Sequence, residues 1–178
     1  MVDAGSMVVH YFTSLFFMIS LLNAYNKTTA KVKTIIAPFV DRLNSKGVNY
    51  TVSYSEFDTY YEHYDKYFGC LPLGNIQVGI AQCGTRLILR SVVGNITETW
   101  KAIVETGVTW IGVGTDVKSF GLEKTSSVHS AWRSTIVHAT LTLPWNFTAP
   151  WSEALATQEK MTNVIQPLVE AATPGSGS

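Results

Sequence analysis

The run Trp132–Leu143 can be satisfied only inside a β-sheet. It places Arg133, Thr135, Val137, Ala139 and Leu141 on one face, and Trp132, Ser134, Ile136, His138, Thr140 and Thr142 on the other. After Arg133 it carries no charged residue, and β-branched side chains are frequent in it. Such a strand needs neighbours for its backbone N–H and C=O groups and a cover for its apolar face.

The rest of the chain supplies both. Met7–Leu22 is apolar and rich in aromatic and β-branched residues, so it reads as a buried strand. His10, Thr13, Ser14 and Ser20 interrupt it, against a membrane-spanning helix, and it lacks the basic flank and cleavage site of a signal peptide. Asn26–Lys46 reads as a helix, capped by Thr28 or Thr29 and stopped at Gly47, with Pro38 predicting a kink or break. Val48–Tyr54 alternates as a half-buried strand. A second helix starts at Ser55 and ends at Gly69, and Cys70–Gly74 forms a turn. Strands are predicted at Gln77–Ala81, Arg86–Val93 and Thr109–Val113, and helices at Asn95–Gly107 and Pro150–Ala172. A polar loop containing Gly121 and Lys124 precedes the Trp132 strand. Helices and strands therefore alternate irregularly, with some strands joined directly. The fold class is α+β: an antiparallel sheet with helices packed on one face. The expected organisation is an N-terminal apolar strand region at 1–24, an α+β unit at 25–172 and a flexible Gly/Ser tail at 173–178.

Charged residues make up only 15% of the chain and the formal net charge is zero, so neither nucleic acid nor an anionic membrane is favoured as a partner. No His/Cys/Asp group has metal-ligand spacing, so no metal is expected. Cys70 and Cys83 are the only cysteines: they form one bridge or remain two free thiols. Four glycosylation sequons, at Asn26, Asn49, Asn95 and Asn146, point towards the secretory pathway, against the plainer reading that Asn and Thr are simply abundant.

Four segments in order, Tyr67-Phe-Gly-Cys-Leu-Pro-Leu-Gly74, Gly84-Thr-Arg-Leu-Ile-Leu-Arg90, His129-Ser-Ala-Trp-Arg133 and the helix running to Ala172-Thr-Pro-Gly-Ser-Gly177, carry a family resemblance. Together they resemble the substrate domain of fungal FAD-linked oxidases of the berberine-bridge-enzyme-like group, from about Tyr11 to Gly177. The sequence departs from that pattern at Cys70, Leu89 and Ser130, where the family usually has proline; each change frees a φ angle and restores an N–H. The resemblance implies a secreted, extracellular family whose full-length members use FAD. It also implies that the chain is the substrate-domain portion alone, truncated relative to the family. No cofactor is expected in it, because no Gly-rich phosphate loop follows a strand and Gly112-Val-Gly114 is a lone Gly-x-Gly.

In the family this sheet roofs the pocket over the flavin, which assigns the more polar parity of the Trp132 strand to a substrate cavity. His138 is then the candidate acid/base group, Arg86 a candidate clamp for a carboxylate or enolate, and Trp132, Ser134, Ile136, Thr140 and Trp110 candidate lining residues. His10, Phe12 and Phe16 share one parity of the first strand and can reach the same cavity. The plainer readings are a structural histidine, an ion-paired Arg86 or Arg90, and core tryptophans.

Three functions compete. The first is a flavin-less substrate-binding domain without redox activity of its own, its flavin domain supplied in trans. The second is a cofactor-independent natural-product cyclase or isomerase, of the Diels–Alder type for example, that reuses the oxidase pocket. The third is a binding module that homodimerises through the exposed sheet face. In the first two the ligand is a small lipophilic molecule.

Overall fold

A computed structural model describes residues 1–69, 79–118 and 127–177. The predicted Cys70–Gly74 turn, Gln77 and Val78 of the predicted Gln77–Ala81 strand and the loop around Gly121 and Lys124 lie outside the described residues; Gly79 and Ile80 form a bend, and of that predicted strand only Ala81 is extended in the sheet. The chain forms two compact units. One combines Val2–Asn23 with the chain from Ile80 onward; the other holds Met1 and the chain between Ala24 and Gly79. One division between the units falls between Asn23 and Ala24. The N-terminal strand region, however, belongs with the C-terminal half.

The larger unit is a five-stranded antiparallel sheet in the order β2-β1-β4-β5-β3. Its strands are β1 (Met7–Phe12), β2 (Phe17–Asn23), β3 (Ala81–Leu89), β4 (Thr109–Gly114) and β5 (Thr135–Pro144). The apolar run 7–22 is thus not one strand but a hairpin. Thr13 turns it: its Oγ1 accepts from the Leu15 and Phe16 amides, and its own N–H meets the Phe16 carbonyl. A hydroxyl that captures two downstream amides offers the backbone an alternative to extending the ladder. The third strand also lies earlier than predicted, at Ala81–Leu89 rather than Arg86–Val93.

Burial in β5 alternates strictly, with Thr135, Val137, Ala139, Leu141 and Leu143 buried and the residues between them half-buried. Residues directly opposite in an antiparallel pair share a face. Ala139 faces Gly112 of β4 and Arg86 of β3, and Leu141 faces Trp110 and Gly84. This core face carries α3 (Thr97–Glu105) and the C-terminal helix, through Ile96, Ile103, Val104, Met161, Ile165 and Val169. Gly84 lets that helix come close: a Cβ there would lie 2.9 Å from the Met161 sulfur.

The C-terminal helix is α4 (Trp151–Lys160), a π-turn (Met161–Ile165) and α5 (Gln166–Ala172) in succession. Pro167 has no N–H for the Asn163 carbonyl and its ring crowds the preceding turn, which the wider π geometry relieves. The segment after α5 is docked, not a flexible tail. Thr173 is buried and its Oγ1 donates to the Val169 carbonyl, while the Leu87 N–H donates to the Gly177 carbonyl at 2.8 Å along the β3 edge.

The smaller unit holds α1 (Thr29–Ser45) and α2 (Tyr60–Phe68). Thr28 caps α1, which continues without a break through Pro38. The helix predicted from Ser55 begins only at Tyr60, because Thr59 and Glu62 form a reciprocal capping box; Gly69, at φ +82°, ends it. Glu56, predicted within that helix, instead accepts from the Thr29 amide. Val48–Tyr54 is not a strand. It has no ladder partner among the described residues, and Val48, Tyr50, Val52 and Tyr54 are all exposed.

Candidate functional site

Helices cover the core face of the sheet. The opposite face, here the open face, is built from the alternate residues. Val9 pairs with Val113, Tyr11 with Ile111, Val113 with His138, and Ile111 with Thr140; on β3, Leu87 and Thr85 lie opposite His138 and Thr140. These side chains are half-buried except Leu87, which is fully buried beside the docked Gly177 segment.

Arg86 is the only Lys, Arg, Asp or Glu in all five strands, and it lies on the core face. Its Nε donates to Thr173 Oγ1 at 2.9 Å and its Nη2 to the Thr173 carbonyl at 3.1 Å, with Glu170 at 3.9 Å. It fastens the end of α5 to the sheet and does not reach the open face. Arg90, just past β3, pairs instead with Asp3 at 2.7 Å, and that guanidinium holds the Asp3 carboxyl below its ordinary range.

His138, Thr140 and Ile136 stand on the half-buried parity of β5. Trp132 and Ser134 do not lie in the strand as expected. Ser130–Arg133 forms a 3-10 turn opened by His129, whose Nδ1 accepts from the Ala131 amide, and β5 begins only at Thr135. Trp132 still meets His138, their ring centroids 5.4 Å apart. Ser134 is exposed, and its carbonyl takes the Arg90 amide.

The remaining aromatic candidates separate from this group. Trp110 is fully buried on the core face, stacked against Phe12 at 5.4 Å and tilted against Trp100 at 5.3 Å. Phe16 sits in the hairpin turn, 53% exposed. His10 lies on the core face across Gly112, its ring 6.3 Å from those of Phe12 and Phe17, and burial pushes its pKa down. Tyr11 is the open-face residue that sequence reasoning missed. The parity that placed His10 and Phe12 together puts Tyr11 on the other face, and the pairing Tyr11–Ile111–Thr140 sets it in one row with the candidates on β5. Asn26, Asn49 and Asn146 are exposed, and Asn146 Oδ1 accepts from Thr148 Oγ1 at 2.9 Å; the side chain of Asn95 lies outside the described residues. Cys83 is an exposed free thiol.

The described residues do not fit the phosphate end of FAD. A pyrophosphate needs free backbone N–H groups or cations in a glycine-lined hollow. Gly112 and Gly114 lie within β4, and the space beside them is filled by the His10 ring and the Val2 side chain. Among the described residues no three His, Cys, Asp or Glu gather to hold a metal, and no helix is long and apolar enough to cross a membrane.

No protein-family model matches the chain. It is 56% identical over 178 residues to the FAD-linked oxidoreductase ZEB1 of Gibberella zeae, covering the whole of this chain and 32% of that protein. It is 25% identical over 187 residues to the bifunctional decalin synthase calF of Penicillium decumbens, covering 99% of this chain and 32% of that protein. The crystal structure of the VAO-type flavoprotein MtVAO615 from Myceliophthora thermophila superposes with a TM-score of 0.81 at 23% identity, covering 98% of this chain and 33% of that one. The sheet-and-helix fold is therefore shared with VAO-type flavoproteins, and the chain spans about a third of the length of the curated relatives it matches. By sequence, the chain is a homologue of the fungal FAD-linked oxidoreductases over that third of their length.

Proposed function

We propose that this chain provides the substrate-facing sheet of a FAD-linked oxidoreductase: the open face holds a small lipophilic molecule, and a flavin domain supplied in trans holds the flavin. One observation carries the reading. The single charged residue of the five strands points to the helices, so the strand residues of the open face are all uncharged: apolar side chains, hydroxyls, the His138 imidazole, the Cys83 thiol and the Asn23 amide. A sheet face meant for water is normally rich in charge; one without it is normally covered. An apolar surface with a few convergent polar groups is the usual make-up of a small-molecule site. When bound nearby, the flavin would supply the redox chemistry, and this chain would supply orientation and a group able to exchange a proton, His138. Arg86 has no part in contacting the ligand on this reading, because α5 occupies it.

A cofactor-independent cyclisation on the same face is the second reading. It is favoured by the relative whose name is a decalin synthase, and an uncharged face suits a step that folds an apolar chain.

Photolabelling with benzophenone, a neutral lipophilic probe, tests the shared premise. The adducts are expected on β4 and β5 at Val113, His138 and Thr140. Adducts confined to Leu15–Met18, the exposed hairpin turn, would refute the assignment.

A further inference from the structure

We propose that the open face binds a neutral ligand by its two ends, one hydrogen-bonded by Tyr11 and the other by His138, with the apolar body lying on Ile111 and Val113. The proposal rests on the reading above and deepens it. It follows from the register. Tyr11 is on β1 and His138 on β5, with β4 between them. Two strand spacings separate their backbones by roughly 10 Å across the sheet, and one two-residue step by roughly 7 Å along it, about 12 Å in all. The intervening surface is Ile111 and Val113, which carry no polar side-chain atom.

The chemistry of the two ends matches. Tyr11 and His138 are half-buried residues, and neither side chain is hydrogen-bonded to a described residue. Each can donate or accept, so each suits a phenol, an alcohol or a carbonyl. A partly desolvated polar group gains most from a partner that arrives with the ligand. An ionised end is disfavoured, because no cation stands on the face and a carboxylate would lose its hydration uncompensated. The ligand class is therefore an elongated, uncharged, apolar molecule with an oxygen function at each end, about two rings long.

Three isosteric probes test this on the full chain: biphenyl, 4,4′-dihydroxybiphenyl and biphenyl-4,4′-dicarboxylate, followed through methyl resonances. The diol is expected to shift the Ile111 and Val113 methyls, to leave Ile103 and Ile165 on the core face unmoved, and to bind roughly ten-fold tighter than biphenyl. The dicarboxylate should bind more weakly than either. Tyr11→Phe and His138→Phe should each take most of the advantage of the diol away, while His138→Gln, which can still hydrogen-bond, should keep part of it. Unmoved Ile103 and Ile165 methyls in each variant confirm that the fold is intact. If the open-face methyls shift but diol and biphenyl bind alike, or the variants change nothing, the two-ended mode is overturned and the face assignment stands. If no probe moves Ile111 or Val113, both fall.

Discussion

Gly112 and His10 occupy the same space, so a methyl added at one should be tolerated only when the other is removed. A Cβ at Gly112 would approach three atoms of the His10 ring at 3.0 Å or closer. The ring has little room to retreat, since Phe12 and Phe17 flank it at 6.3 Å each. Overpacking of this kind costs about 2 kcal/mol, within the range of small-to-large core changes. For a chain of this size that is a drop in Tm of about 4–8 °C. His10→Ala alone removes a half-buried ring and should cost about 1 kcal/mol. In the double variant the new methyl enters the vacated volume, so the pair should be no less stable than His10→Ala. The expected coupling is about 2 kcal/mol, read from a double-mutant cycle of thermal or urea unfolding. Simple additivity, with the double variant about 3 kcal/mol below the parent, would refute the packing account of this strand pair.

Further predictions rest on other contacts. Burial lowers the pKa of His10 in the folded state below its ordinary 6.5, so the unfolded chain takes up the proton more readily. Its contribution to stability is therefore complete above about pH 6.5 and lost as the pH falls below that value; the urea midpoint should drop from pH 7.5 to 5.5, and His10→Phe should flatten the drop. Trp110→Ala empties a fully buried site beneath Phe12 and Trp100 and should cost about 3–5 kcal/mol in urea unfolding. Thr59→Ala removes half of the capping box and should weaken α2 by about 1 kcal/mol, seen as faster hydrogen exchange confined to Tyr60–Phe68. Arg86→Met should speed exchange of the Leu87 amide, because the segment that bonds it is tied to the sheet through Thr173.

What the sequence made legible followed local rules. The alternation in 135–143 identified the buried and half-buried faces of β5, and Gly69 and Thr28 marked true helix ends. The start of α2 was also written in the sequence: Thr59-Tyr-Tyr-Glu62 has capping-box spacing, whereas Ser55 merely precedes an acidic residue. Other features depended on what lies opposite. Val48–Tyr54 has the pattern of a strand, but a pattern cannot supply a ladder partner, and none among the described residues pairs with it. The hairpin at Thr13 was hidden because apolar residues continue through the turn. The role of Arg86 was not readable, since it is set by Thr173, 87 residues away. Tyr11 went unnoticed because its importance comes from the cross-strand row with Ile111 and Thr140, not from its neighbours in sequence.

The central claim is that the uncharged open face, not the core face or the hairpin tip, receives the ligand. A crystal structure of the chain grown with 4,4′-dihydroxybiphenyl addresses it directly. The account predicts density lying over Ile111 and Val113, with one oxygen within hydrogen-bonding distance of Tyr11 and the other of His138. A ligand found only against Leu15–Met18, or within the Trp100–Trp110 cluster on the core face, would contradict it.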